Sequence, residues 1–268
     1  MENLQMADFL NYRFLSALKY SPDAAHAAFV VSQGNLEENR YRSCLYVWER
    51  KGEKVRQLTY QGDSRTFVWL DNETLLFPAR RGKADAESEK NATTFYRIRI
   101  DGGEAEPYFT VPVAVTDVMP LETGVFALVG KYVPRPVGTN GYEIFDEIPF
   151  WTNGEGVTNK SRRRLYRYAV SNDTLVPVTD EYTNVTDCRA GQNGVLFSAA
   201  RYTDKKGLTA GVYRWDTAGK KAETLVDDGR FSVYYVGFMG EDAVVAASGR
   251  EKFGLKENPN LYLIRDGQ

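Results

Sequence analysis

Chemistry on this chain starts from a short inventory. The only histidine is His26, so any histidine-dependent step has one candidate. A serine nucleophile needs a histidine to take its proton and a Gly-x-Ser-x-Gly elbow to present it. The nearest string, Ala246-Ala247-Ser248-Gly249-Arg250, lacks both outer glycines. His26 follows a Ser21-Pro22-Asp23 turn and reads as a turn or core histidine. No His-Glu-x-x-His, paired Cys-x-x-Cys or calcium loop occurs, and no Gly-Lys-Ser/Thr phosphate loop, so neither metal nor cofactor is expected. What remains is recognition. Between Lys131 and Arg164 lie 32 residues carrying Glu143, Asp146, Glu147 and Glu155 beside Tyr142, Phe145, Phe150 and Trp151. Long loops on a rigid scaffold often carry function. A solvated acidic face with aromatics docked on the scaffold is the plainer account. Arg162-Arg163-Arg164 reads as a solvated strand start, with a salt bridge to the acidic stretch as the second option. Arg80-Arg81 and Lys205-Lys206 read as surface.

These residues need a scaffold, and composition bounds it. The chain has 268 residues, 43% of them hydrophobic, with 34 Lys and Arg against 36 Asp and Glu for a net charge of -2. That is enough apolar mass for a sizeable core, and it excludes wholesale disorder. The charge balance lacks the basic excess of a nucleic-acid surface. No apolar run approaches the roughly 18 residues of a membrane span. Met1–Tyr20 holds Glu2 and Asp8 and has no long apolar segment, so it is not read as a secretory signal. Two cysteines, Cys44 and Cys188, make no disulfide framework. A soluble cytoplasmic protein is expected, with no nucleic-acid or membrane partner and self-association left open.

Strand signals dominate: aromatics sit in short alternating runs broken by Gly, Asn and Asp. Beyond the first fifteen residues, no long stretch keeps a helical period. One pattern recurs, an apolar residue, then Tyr, then alternation, at Tyr46, Tyr96, Tyr166, Tyr213 and Tyr262. The intervals are 50, 70, 47 and 49 residues, and the long one contains the insertion. About twenty residues or more before each Tyr lies a nearly all-apolar run, such as Leu75-Leu76-Phe77 or Val195-Leu196-Phe197. A weaker strand precedes most of these, as in Thr66–Leu70 and Ser232–Val236. After each Tyr strand comes a tight turn, as at Lys51-Gly52-Glu53-Lys54, Asp101-Gly102-Gly103 and Ala218-Gly219-Lys220, where Gly is expected to supply positive φ. Four strands per unit at a period near 50 predict an all-β fold, a β-propeller of four-stranded antiparallel blades. The units fall at about 10–60, 65–111, 113–180, 184–228 and 232–268. The fifth stops at Arg265-Asp266-Gly267-Gln268, before a fourth strand, so the chain reads as part of a larger propeller. A β-sandwich is the rival fold; a WD-repeat propeller is excluded because its Gly-His pair cannot recur with one His.

Two stretches add a family resemblance. Ser21-Pro22-Asp23 ahead of Ala27-Ala28-Phe29-Val30 is similar to the turn and strand of blades in the prolyl oligopeptidase family of serine peptidases, except that Ala24 stands where Gly is usual. Ile148-Pro149-Phe150-Trp151-Thr152-Asn153-Gly154-Glu155-Gly156, followed by Arg164-Leu165-Tyr166, resembles an insertion of its acylaminoacyl-peptidase and dipeptidyl-peptidase branches. The resemblance implies the noncatalytic N-terminal propeller of a two-domain peptidase. Its partners would be a C-terminal α/β-hydrolase domain bearing the triad, absent here, and a short peptide substrate to which the propeller gates access. By analogy with dipeptidyl-peptidase relatives, Glu143, Asp146 or Glu147, with Trp151 beside them, would receive the peptide's N-terminal end by charge-assisted hydrogen bonding. Two rivals stand beside it. One is a stand-alone propeller similar to TolB that acts as a protein-binding scaffold. The other is a five-bladed glycosidase, which acids at inner-strand starts would favour; this chain's acids read mostly as turn and insertion residues.

Overall fold

A computed structural model describes residues 3, 5–79, 91–133, 144–192, 194–217 and 221–265. Contacts divide the chain into two compact units, Met1–Pro112 and Val113–Gln268. Arg80-Arg81, Tyr142, Glu143, the turn Ala218-Gly219-Lys220 and the stretch from Asp266 to Gln268 lie outside the described residues.

The first unit opens with a short 3-10 helix, Met6–Asn11, and holds two four-stranded sheets. The first is β1 (Arg13–Tyr20), β2 (His26–Asn35), β3 (Arg40–Glu49) and β4 (Lys54–Gln57); the second is β5 (Val68–Trp69), β6 (Thr74–Pro78), β7 (Thr93–Arg99) and β8 (Glu106–Val111). The second unit holds three sheets and a hairpin. The third sheet is β9 (Ala114–Glu122), β10 (Val125–Tyr132), β13 (Arg162–Ala169) and β14 (Thr174–Pro177), and the hairpin β11 (Trp151–Thr152) and β12 (Gly156–Val157) lies within it in sequence. The fourth sheet is β15 (Thr183–Gly191), β16 (Gly194–Arg201), β17 (Gly211–Trp215) and β18 (Ala222–Val226). The fifth is β19 (Ser232–Met239), β20 (Asp242–Ser248) and β21 (Asn260–Ile264). In every sheet the strands pair antiparallel in sequence order, as propeller blades require.

The tyrosine repeat sits at one register position throughout. Tyr46, Tyr96, Tyr166, Tyr213 and Tyr262 each lie on the third strand, opposite Phe29, Phe77, Leu128, Phe197 and Val245 on the second. Phe29 with Tyr46 and Phe197 with Tyr213 stack at 5.8 and 5.3 Å between ring centroids. The apolar runs are the second strands and are covered on both faces. Leu75, Leu76 and Phe77 are fully buried, as are Val195 and Leu196. Each such side chain contributes about 1.5–3 kcal/mol on burial. In the first unit Ala28, Val30, Leu45 and Val47 of one sheet pack on Phe67, Leu75, Phe77 and Ile98 of the other. In the second, one face of the fourth sheet (Val195, Phe197, Trp215) meets the third sheet, and the other (Leu196, Val212) meets the fifth.

Local geometry departs from expectation in three places. The strand expected over Thr66–Leu70 shrinks to Val68–Trp69, because Phe67 is buried and its carbonyl accepts the Lys19 Nζ at 2.8 Å instead of a ladder bond. The β3–β4 turn takes its positive φ at Glu53 (49°) and not at Gly52; the β13–β14 turn of equal length does the same at Asp173 (49°). In these two four-residue turns the residue just before the fourth strand turns left-handed, whatever its type. Ala24, where Gly was the family's usual residue, nevertheless takes φ 56°, so the Ser-Pro-Asp turn keeps a shape that costs a Cβ-bearing residue.

Candidate functional site in the third-sheet insertion

Strands β10 and β13 pair without a break from Val125 opposite Ala169 to Tyr132 opposite Arg162. The insertion therefore leaves and returns at facing positions on one sheet end. Its described part, residues 144–161, is tied down twice. The Ile148 N–H donates to the Asp204 carbonyl at 2.7 Å, and the Lys206 N–H donates to the Ile148 carbonyl at 2.9 Å, which docks the segment on the loop after β16. Beyond it, Trp151 pairs with Val157 across the β11–β12 hairpin, whose turn uses Gly154 and Gly156 at φ 83° and 78°.

The second tie is ionic. Glu147 and Arg162 are both buried, with 1% and 2% of their side chains exposed. Arg162 Nη1 donates to Glu147 Oε1 at 3.0 Å and Nη2 to Oε2 at 2.5 Å. The other three guanidinium donors reach the carbonyls of Ser161 (3.0 Å), Tyr202 (2.9 Å) and Tyr182 (3.3 Å), so all five are used. The Tyr202 ring lies 3.7 Å beneath the guanidinium, and burial pushes its phenol pKa up. Glu147 Oε1 also accepts the Lys160 N–H at 3.1 Å. A bidentate Arg–carboxylate pair with every donor satisfied is the geometry in which two buried charges tolerate loss of water.

The residues singled out from sequence thus separate. Glu143 lies outside the described residues. Glu147 is enclosed and neutralised. Asp146, half exposed, carries Lys160 Nζ at 2.5 Å. Trp151 is 55% exposed and follows Phe150, whose ring pairs with Phe145 at 4.9 Å between centroids; Ile148 is exposed as well. The segment thus exposes aromatic side chains, and its half-exposed carboxylate Asp146 already holds a cation.

The arginine run is not a solvated strand start. Arg162 makes the salt bridge to the acidic stretch. Arg163 binds Asp117 at 2.7 Å and reaches the Thr186 carbonyl at 3.3 Å, and Arg164 donates twice to the Thr179 carbonyl. Sequence reading missed Tyr182 and Tyr202, whose carbonyls complete the Arg162 shell; neither sits in a motif. It also placed the acids mostly at turns and in the insertion, whereas Asp117 and Asp187 lie within the first strands β9 and β15. Asp187 accepts Arg189 Nη1 at 2.7 Å and the Val236 N–H at 3.0 Å. Each of these acids is held by an arginine.

Ser248 is held through its hydroxyl and His26 through its backbone. The backbone N–H of His26 donates to Ser21 Oγ at 3.0 Å, Ser21 Oγ donates to Asp23 Oδ1 at 2.6 Å, and the imidazole Nδ1 of His26 is buried with no hydrogen-bond partner among the described residues. Ser248 is buried; its Oγ donates to Glu257 Oε1 and accepts the Arg250 N–H. Among the described residues no group of three or more His, Cys, Asp or Glu could hold a metal, and no helix is long and apolar enough to cross a membrane.

No family model matches the chain. The uncharacterized peptidase YuxL of Bacillus subtilis (strain 168) is 26% identical over 195 residues, 68% of this chain and 29% of its own. The acylaminoacyl peptidase of Pyrococcus horikoshii superposes over 97% of this chain and 39% of its own, with a TM-score of 0.74 at 13% identity. The β-propeller domain of the Trilobed protease from Pyrococcus furiosus covers 95% of this chain and 69% of its own, with a TM-score of 0.58 at 12% identity. The chain therefore spans well under half the length of the first two proteins. Repeated four-stranded antiparallel sheets with one tyrosine register, superposing on these structures, make this chain a β-propeller of the kind found in acylaminoacyl peptidases.

Proposed function

We propose that the chain is the noncatalytic propeller portion of a serine peptidase of the prolyl oligopeptidase family. In this reading it restricts access to an α/β-hydrolase domain elsewhere in a longer polypeptide and helps hold the N-terminal end of a short peptide. The observation that carries the reading is the superposition of 97% of the chain on a peptidase of which it spans 39%. The Ser248 hydroxyl agrees with it, being buried and held by Glu257 and the Arg250 N–H. Two free cysteines suit a cytoplasmic setting.

Within the insertion the roles divide. Asp146 and Trp151 face solvent and are the groups that touch a ligand; Glu143 stands with them in sequence. Glu147 acts through Arg162, fixing the segment from which they project. A flat aromatic side chain on an anchored hairpin offers contact area at little entropic cost. A scaffold similar to TolB would use the same exposed aromatics for a protein partner. Titrating tripeptides into the chain, with Trp fluorescence as the readout and Trp151→Phe as the control, separates the two. Saturable quenching that disappears in Trp151→Phe supports the peptide role; no response to tripeptides removes it and leaves the scaffold.

A further inference from the structure

The fourth and fifth sheets each open on a strand with one extra residue. On β15 Val185 pairs with Ala199 and Asp187 with Ser198, so Thr186 stands outside the ladder. On β19 Val233 pairs with Ala247 and Tyr235 with Ala246, which leaves out Tyr234. A bulge of this kind re-aims the side chains beside it. Asp187 Oδ2 accepts the Val236 N–H at 3.0 Å, joining the two strands where both bulge. Arg189 lies two residues beyond Asp187 on β15 and so shares its face. Its Nη1 donates to Asp187 Oδ1 at 2.7 Å and to the Cys188 carbonyl at 2.5 Å, and its guanidinium lies 5.2 Å from the centre of the Tyr235 ring. That ring rests on Gly237, where an added Cβ would come within 2.7 Å of the tyrosine oxygen.

Arg189 is held on one side only. Its Nε and Nη2, which together form one edge of the guanidinium fork, have no hydrogen-bond partner among the described residues. On three other arginines a carboxylate of the chain fills that edge: Glu106 on Arg97, Asp101 on Arg99 and Asp242 on Arg265. The Arg189 side chain is 46% exposed, so its edge is open to a solute. We propose that the Nε–Nη2 edge of Arg189, beside Tyr235, is a binding site for one carboxylate group, carried by the C-terminal end of a peptide or by a small organic acid. Two parallel N–H donors match the two oxygens of a carboxylate. Asp187 already offsets the arginine's charge, so the second negative charge of a phosphate dianion gains nothing there. The site draws on none of the insertion residues and does not rest on the peptidase reading.

The test is NMR of the nitrogen-15-labelled chain, titrated at constant ionic strength with N-acetyl-dialanine, its C-terminal amide, acetate and inorganic phosphate. The free acid should shift the Arg189 Nε–H and Val236 N–H signals saturably while the amide leaves them in place. Arg189→Gln should weaken the acid's effect on Val236 at least about tenfold, the loss of a charged hydrogen bond. Acetate acting at the same concentration as the peptide assigns the site to a small organic acid, and weaker acetate assigns it to a peptide C-terminus; either supports the site. No shift from the acid, equal shifts from acid and amide, or an Arg189→Gln chain that responds as the native one does, overturns it. So does phosphate saturating the signals at a lower concentration than acetate. The acid and amide comparison needs no variant. Both peptides lack an ammonium group, so failure here leaves the insertion's proposed role untouched.

Discussion

Arg162 and Glu147 close on each other as two parallel hydrogen bonds, Nη1 to Oε1 at 3.0 Å and Nη2 to Oε2 at 2.5 Å, with almost no solvent on either side chain. One partner opens the strand β13; the other lies in the insertion fifteen residues earlier. The pair converts an excursion of the chain into a fixed platform.

Removing either charge leaves the other buried and unpaired. Glu147→Gln or Arg162→Met should lower stability by about 3–5 kcal/mol in urea unfolding. Asp146→Asn, whose ion pair with Lys160 is half in water, should change it by less than about 1 kcal/mol. Equal effects at the two positions would show that the Arg162 pair does not anchor the insertion.

Ala24 holds a left-handed conformation that glycine adopts freely. Ala24→Gly should stabilise the first unit by about 0.5–1 kcal/mol, the relief of Cβ strain exceeding glycine's extra unfolded-state entropy. Glu53→Gly should act in the same direction for the same reason. A melting temperature lowered by both changes would contradict the backbone assignment at these turns.

Glu257 organises the loop between β20 and β21. Its carboxylate accepts the N–H groups of Lys252, Phe253 and Arg250 and the Ser248 hydroxyl, and the backbone bonds from Lys252 and Phe253 lead in holding its pKa below the ordinary glutamate value of 4.5. A depressed folded-state pKa stabilises above the unfolded value and is lost as pH falls through the folded one. The loop should therefore exchange its amides faster below about pH 4.5, and Glu257→Gln should lose that pH dependence. A loop with the same exchange protection at pH 3 and pH 7, after correction for intrinsic rates, would rule this out.

Cys188 is buried, and burial, with Asp117 and Asp187 adding to it, pushes its thiol up to about 12. Only the thiolate reacts. Iodoacetamide at pH 8 should leave Cys188 unmodified in the folded protein and alkylate it once urea unfolds the chain. Prompt labelling of Cys188 in native protein would mean that the fourth sheet opens readily.

Much of this architecture is legible in the sequence, because a blade repeats its constraints. The Tyr strand, the apolar second strand and the short turn recur at intervals that only one register satisfies, and the structure returns Tyr46 through Tyr262 at that register. What could not be read is set by partners distant in sequence. Nothing local says that Glu147, and not Asp146 beside it, turns inward. That choice depends on the carbonyls of Tyr182 and Tyr202, which reach Arg162 from 20 and 40 residues away. The positive φ at Glu53 was hidden for a different reason. Turn composition shows that a left-handed residue is needed, but strand pairing decides which position takes it.

The proposed function puts the hydrolytic centre outside these 268 residues. Incubation of the 268-residue chain with a fluorophosphonate probe, alongside peptidyl and acyl-peptidyl chromogenic substrates, tests it most directly. With Ser248 buried and its hydroxyl held by Glu257 and the Arg250 N–H, the account predicts neither labelling nor hydrolysis above buffer. Stoichiometric labelling of a serine, with turnover abolished by its replacement with alanine, would contradict it.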